Sequence, residues 1–218
     1  MTNVNFNATR LRGYVEQAIT LREDIKAQLQ ATDAAVEWPT IANYAPDFEN
    51  DLAQQGTDIA LKFISQVGKG AVDIFSLQLT VLYGIKGVAS YTFHAYEMGQ
   101  EDDAVYHFLY RALDALRNDD LSLDDWVALA LEVGAINLRA MELLDAGHTG
   151  TFGHPVPTTV PLNPRPGKAV LVSGHDIRQL EAILKQTTDR DITVYTHGEL
   201  LPAHGYPKLK QTYPHLYG

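Results

Sequence analysis

Eight of the ten prolines in this 218-residue chain fall after residue 150, at 155, 157, 161, 164, 166, 202, 207 and 214. Proline removes a helix donor and clashes with the preceding turn, so residues 1–150 are free to form long helices and 151–218 are not. Charge divides at the same place. The formal net charge is −10, and the last 68 residues hold seven basic and five acidic groups, leaving −12 on residues 1–150. Between the halves, Gly147, Gly150, Gly153 and the run from Pro155 to Pro166 predict an extended linker. The expected organisation is a helical domain over 1–146, a Pro/Gly-rich linker over 147–167 and an α/β segment over 168–218. The expected fold class is mainly α with α/β.

Apolar spacing in the first part predicts five helices. Thr9 to Gln30 carries Leu11, Tyr14, Val15, Ala18, Ile19 and Ile25 at helical intervals, and Phe48 to Val67 is a weaker pattern broken by Gly56. Val72 to Met98 is the most apolar, with small residues at Gly84, Gly87, Ala89 and Ser90 that suit close approach of a neighbour; it is expected to be the central bundle helix. Its Tyr83, Tyr91, Phe93 and Tyr96 are read as core. Glu101 to Arg117 opens with three acids, which favour the positive end of a helix dipole. Ser122-Leu123-Asp124-Asp125 has the form of a capping box, starting a helix expected to stop at Gly147.

After residue 167 the period changes. Ala169-Val-Leu-Val-Ser173 is a continuous apolar run, as in a strand covered on both faces. Ile177 to Thr187 is helical in spacing, and Ile192 to Thr196 reads as a second strand. One strand–helix–strand unit follows, with the strands parallel and adjacent.

Composition removes several function classes. An acidic surface argues against sequence-independent nucleic-acid binding, and no uninterrupted apolar stretch reaches eighteen residues, so no membrane span is expected. The first residues lack the pattern of a signal peptide, and a cytoplasmic location is expected. There is no cysteine, which excludes disulfides and any iron–sulfur centre built from this chain's own sulfur.

Ligands of open parallel sheets bind beyond the carboxyl ends of the strands. His175 lies two residues past the first strand and Glu199 three past the second. An imidazole and a carboxylate on strands about 4.8 Å apart suit iron, zinc or manganese. His197 and His204 are close enough in sequence to be further ligands. The plainer alternative makes Asp176 a helix cap, His175 a turn residue and Glu199 a solvated side chain. His94 and Glu97, one turn apart, invite comparison with di-iron bundles, but the chain has no Glu-x-x-His, and His94 is read as a satisfied bundle histidine. Gly68-Lys-Gly70 and Gly84-Ile-Lys-Gly87 lack the context of phosphate loops.

The stretch Gly167-Lys-Ala-Val-Leu-Val-Ser-Gly-His-Asp176, followed by Val194-Tyr-Thr-His-Gly-Glu-Leu-Leu-Pro-Ala-His-Gly-Tyr-Pro207, is very similar to the hybrid cluster proteins, also called prismane proteins or hydroxylamine reductases. Thr2-Asn-Val-Asn-Phe6, Leu82-Tyr-Gly-Ile-Lys-Gly87, Leu143-Leu-Asp-Ala-Gly147 and Tyr213 to Gly218 resemble family segments in family order, so the likeness runs along the whole chain. It implies three-helix-bundle architecture followed by the start of a Rossmann-like parallel α/β domain. It also implies two metal centres in the full-length parent, a hybrid iron–sulfur–oxygen cluster and a second iron–sulfur cluster.

On the same resemblance, His175 and Glu199 match two ligands of the hybrid cluster. The implied activity is reduction of hydroxylamine to ammonia, with nitric oxide to nitrous oxide as a further reaction under nitrosative stress. The implied electron donor is an NADH-dependent reductase. Without the cysteine-bearing segments, this chain reads as a fragment expected to bind no cluster and to be inactive alone. The alternative is a non-catalytic helical scaffold or oligomerisation module.

Overall fold

The computed structural model describes residues 7–32, 37–38, 40–65, 72–117 and 120–218. They divide into two compact units, 1–70 and 71–218. The first contains α1 (Ala8–Thr32) and α2 (Leu52–Ser65) with a short 3-10 turn at Thr40–Asn43 between them. No residue of α1 is buried. Its basic side chains instead hold the connecting segment: Arg12 donates to the Phe48 carbonyl at 3.1 Å, and Lys26 donates to Asn43 Oδ1 at 2.8 Å.

The second unit begins with a three-helix bundle of α3 (Val72–Tyr96), α4 (Asp103–Ala115) and α5 (Leu123–Phe152). Val81, Ile85, Val88, Thr92 and Ala95 recur every three or four residues on α3 and are buried. They form one core with Val105, Phe108 and Ala112 of α4 and Trp126, Leu129, Val133, Ala140 and Leu143 of α5. A Cβ built on Gly84 would lie 2.5 Å from Val133 Cγ1, so glycine there sets how closely α3 and α5 approach.

The aromatic residues of α3 are not core. Tyr83, Phe93 and Tyr96 are more than half exposed and Tyr91 is also exposed, because the buried row takes the small and β-branched positions and leaves the aromatics on other faces. By length and composition alone α3 is also apolar enough to cross a membrane, with a mean hydropathy of 1.3 over its best window. Scattered Gly, Ser, Thr and Lys86 interrupt the apolar run while leaving the mean hydropathy high, which is why run length alone predicts no span here. Packing against α4 and α5 accounts for the buried row without a membrane.

Ser122 and Asp125 form the expected reciprocal cap, with the Ser122 hydroxyl accepting from the Asp125 amide and the Asp125 carboxylate accepting from the Ser122 amide. The end of α5 departs from expectation. The helix passes through Gly147 and continues to Phe152. A Cβ on Gly147 would meet Met98 Cβ at 2.8 Å, so this glycine serves close packing, while Gly153, at φ 84°, is the terminator. Both positions use the missing side chain, but only the second also needs positive φ.

The remaining elements are β1 (Lys168–Ser173), α6 (Ile177–Thr187), β2 (Ile192–His197) and α7 (Pro207–Thr212), with a 3-10 segment over Gly198–Gly205. β1 and β2 pair in parallel, from Lys168 opposite Ile192 to Ser173 opposite His197. Residues 215–218 run along the other edge of β2, where the Val194 amide donates to the His215 carbonyl and the Thr196 amide to the Gly218 carbonyl, at 2.9 and 2.8 Å. Leu180 and Leu184 of α6 pack with Val172, Val194, Leu200 and Leu216 in a second core. Only one face of β1 is covered: Val172 is buried, but Leu171 is 70% exposed, against the expectation of a strand buried on both sides. Mainly α with a small parallel α/β part is thus the observed class.

Candidate functional site

The pairing of Ser173 with His197 brings the carboxyl ends of both strands level. β2 extends one residue beyond the expected end, so His175 and Glu199 each lie two residues past their strand. Each follows a glycine with positive φ, Gly174 at 147° and Gly198 at 59°, which lets the chain turn off the sheet edge. His175 and Glu199 are both exposed.

Asp176 does cap a helix. Its Oδ1 accepts from the amides of Arg178 and Gln179 at 2.8 and 3.3 Å, fixing the start of α6. Its side chain is only 8% exposed, and Oδ2 points away from the cap toward α3, 3.4 Å from His94 Nδ1. A cavity of about 220 Å³ lies at this junction, with His94 of α3, His148 of α5, His175 and Asp176 in its wall. Glu199 is not in that wall, so the structure gathers three histidines and one aspartate around the first strand end and leaves Glu199 beside the second. Burial lowers the pKa of His148, against the opposing pull of Asp176 and Asp145.

The two other histidines near β2 differ. His197 is exposed, with Nδ1 3.2 Å from Ser173 Oγ across the sheet. His204 is 1% exposed, and both ring nitrogens are engaged: Nδ1 lies 2.9 Å from Lys210 Nζ and Nε2 2.9 Å from Thr196 Oγ1. Lysine only donates, so Nδ1 accepts and Nε2–H donates to the threonine. His204 therefore has no free nitrogen for a metal. Lys210 Nζ also donates to the Leu216 and Tyr217 carbonyls, at 2.7 and 3.1 Å, tying α7 to the carboxyl-terminal segment.

Burial, reinforced by the Lys210 charge, lowers the His204 pKa to about 4. An unfolded chain binds a proton on this residue near pH 6.5 while the folded chain does not, so stability falls as pH drops from 6.5 toward 4. The expected loss between pH 7 and pH 5 is roughly 2 kcal/mol. Urea melts at the two pH values, compared with those of His204→Gln, measure it; an equal loss in the variant would refute the assignment.

Of the two glycine motifs set aside as phosphate loops, Gly84-Ile-Lys-Gly87 lies within α3 and Gly68-Lys-Gly70 lies outside the described residues. Asp176 turns away from its neighbour His175 and faces a histidine 82 positions earlier. Such a contact leaves no local signal in sequence. The nearest available hint was that an Asp opening a helix needs only one of its oxygens for the cap.

The Prismane/CO dehydrogenase family model matches residues 1–218. A protein of Gloeothece citriformis named hydroxylamine reductase is 64% identical over 219 residues, covering 100% of this chain and 40% of that protein. Proteins of the same name from Microcystis aeruginosa and Methanocella arvoryzae are 60% and 51% identical, again over all of this chain and 39% and 40% of their own lengths. The chain thus spans about two fifths of the relatives it matches.

Proposed function

The chain belongs to the Prismane/CO dehydrogenase family, and on that premise we propose that it forms part of a hydroxylamine reductase. The observation carrying this reading is identity of 51–64%, along the full chain, to proteins bearing that name. The reaction breaks an N–O bond: hydroxylamine, two electrons and two protons yield ammonia and water. Its balance requires an external reductant, for which the reading assigns an NADH-dependent electron-transfer protein. Nitric oxide is a second candidate substrate.

The family implies iron–sulfur centres, and the donor set here tests that implication. His175 and Glu199 supply one imidazole nitrogen and one carboxylate at the same sheet edge, and both are accessible. The chain has no cysteine, and iron–sulfur clusters are held chiefly by thiolates. The residues present therefore do not by themselves fit such a cluster. In this reading they contribute its nitrogen and oxygen side, and sulfur comes from other segments of the intact protein.

Anaerobic reconstitution with iron and sulfide, followed by an assay of hydroxylamine-dependent oxidation of a reduced dye, tests this directly. The intact protein should hold iron and sulfide and turn over, whereas the 218-residue chain should do neither. Turnover by the chain alone would remove the requirement for outside cysteines. An iron-loaded intact protein without turnover would remove the substrate assignment and favour the second reading, a non-catalytic helical scaffold. The specific support for that alternative is β1, whose outer edge is unpaired among the described residues and whose exposed Leu171 adds apolar surface suited to association.

A further inference from the structure

A second cluster of ligating groups lies one residue beyond His175 and takes no part in the reading above. His94 sits in the last turn of α3, and Asp176 opens α6. His94 Nδ1 and Asp176 Oδ2 are 3.4 Å apart; both atoms are shielded from solvent, and neither makes a hydrogen bond. Burying a carboxylate oxygen and an imidazole nitrogen without partners is costly, so such groups ordinarily find a donor, an acceptor or an ion. The cap cannot supply it, because Asp176 commits only Oδ1 to the Arg178 and Gln179 amides.

Glu97 completes the set. It follows His94 by three residues, and its carboxylate, His94 and Asp176 place one ligand atom each within 4.8 Å of one another. Ligands bound tetrahedrally at 2.0–2.2 Å are separated by about 3.3–3.6 Å. The buried pair already has that spacing, and the exposed Glu97 side chain is free to close the remainder. Two carboxylates balance a divalent charge, and no lysine or arginine is among the described residues lining the adjoining cavity. One nitrogen and two oxygens suit borderline first-row ions, and the absence of sulfur disfavours copper(I).

We propose that His94, Glu97 and Asp176 bind one divalent first-row transition-metal ion, with a coordination position open to the cavity between α3, α5 and the start of α6. This site is separate from the cluster ligands assigned by resemblance, and it stands whether or not the intact protein reduces hydroxylamine.

The test is titration of the 218-residue chain with Co²⁺, followed by visible d–d absorption and by calorimetry. One ion per chain is expected. His94→Gln and Asp176→Asn should each weaken binding about tenfold or more, in line with the sensitivity of metal sites to lost supporting groups. Asp176→Asn retains a good helix cap, so its melting temperature separates metal loss from unfolding. Glu97→Gln should weaken binding less, and His197→Ala, at an exposed histidine that faces Ser173 outside the cavity, should leave it intact. Absence of stoichiometric Co²⁺, undiminished binding in both the His94 and Asp176 variants, or loss of binding in His197→Ala would each overturn the proposal.

Discussion

On the proposed function, the intact protein carrying His175→Ala is expected to lose hydroxylamine-dependent turnover, by on the order of a hundredfold or more, while folding as before. The first half of that expectation rests on the proposed role of His175 as an iron ligand. Even groups that only support a ligand cost ten- to a hundredfold when removed. The second half rests on the structure. His175 is exposed in the turn after β1, and the neighbouring cap is made by the Asp176 carboxylate, which the substitution leaves in place. Exposed substitutions of this kind change stability by about 0.5 kcal/mol or less.

Two measurements therefore belong together: hydroxylamine-dependent turnover of the intact protein and the melting temperature of the 218-residue chain. His197→Ala is the matched control. His197 is also exposed at the sheet edge, but it faces Ser173 and is expected to be dispensable. Unchanged turnover in His175→Ala would remove the histidine from the site. A large fall in melting temperature would mean that it holds the turn together.

The same turn shows which features were legible in sequence. Backbone chemistry was: prolines marked the end of the long helices, the Ser122–Asp125 box marked the start of α5, and the change in apolar period marked β1, α6 and β2. These signals are local, since each depends on residues within a few positions of one another. The strand-end rule points to the turns that carry His175 and Glu199, and the pairing of Ser173 with His197 puts those two turns side by side.

What failed depended on partners distant in sequence. Gly147 has the form of a helix stop, yet it is a contact point for Met98, and nothing near residue 147 distinguishes the two. The aromatics of α3 have the composition of a core, but Val81, Ile85 and Val88 hold the face toward α5. His94 passed for a satisfied bundle histidine because its neighbour Asp176 belongs to another element. His204 passed for an available ligand because Lys210 and Thr196 close on it only after folding. Helix and strand periodicities say which side of an element is apolar, but not which neighbour it meets.

That distinction also sets the largest stability effect expected. Trp126 lies four residues after the Ser122 cap and is fully buried in the core shared by α3, α4 and α5. Trp126→Ala removes the largest buried side chain of the bundle. Phe108, Val105 and Leu129 of the same core are carried on two different helices, so the space cannot collapse without moving α4 relative to α5. Large-to-small changes of this type cost about 3–5 kcal/mol, roughly a fifth or more of the stability of a typical domain. Urea unfolding should show a lower midpoint with an unchanged slope, and thermal unfolding a fall of roughly 10 °C. Leu131→Ala on the same helix is the comparison, since Leu131 is 73% exposed and its loss should cost about 0.5 kcal/mol or less. Equal effects from the two substitutions would contradict the assigned face of α5. A small effect from Trp126 alone would mean that the bundle repacks around the cavity, and the glycine-mediated approach of α3 to α5 at Gly84 would then not be what fixes their spacing.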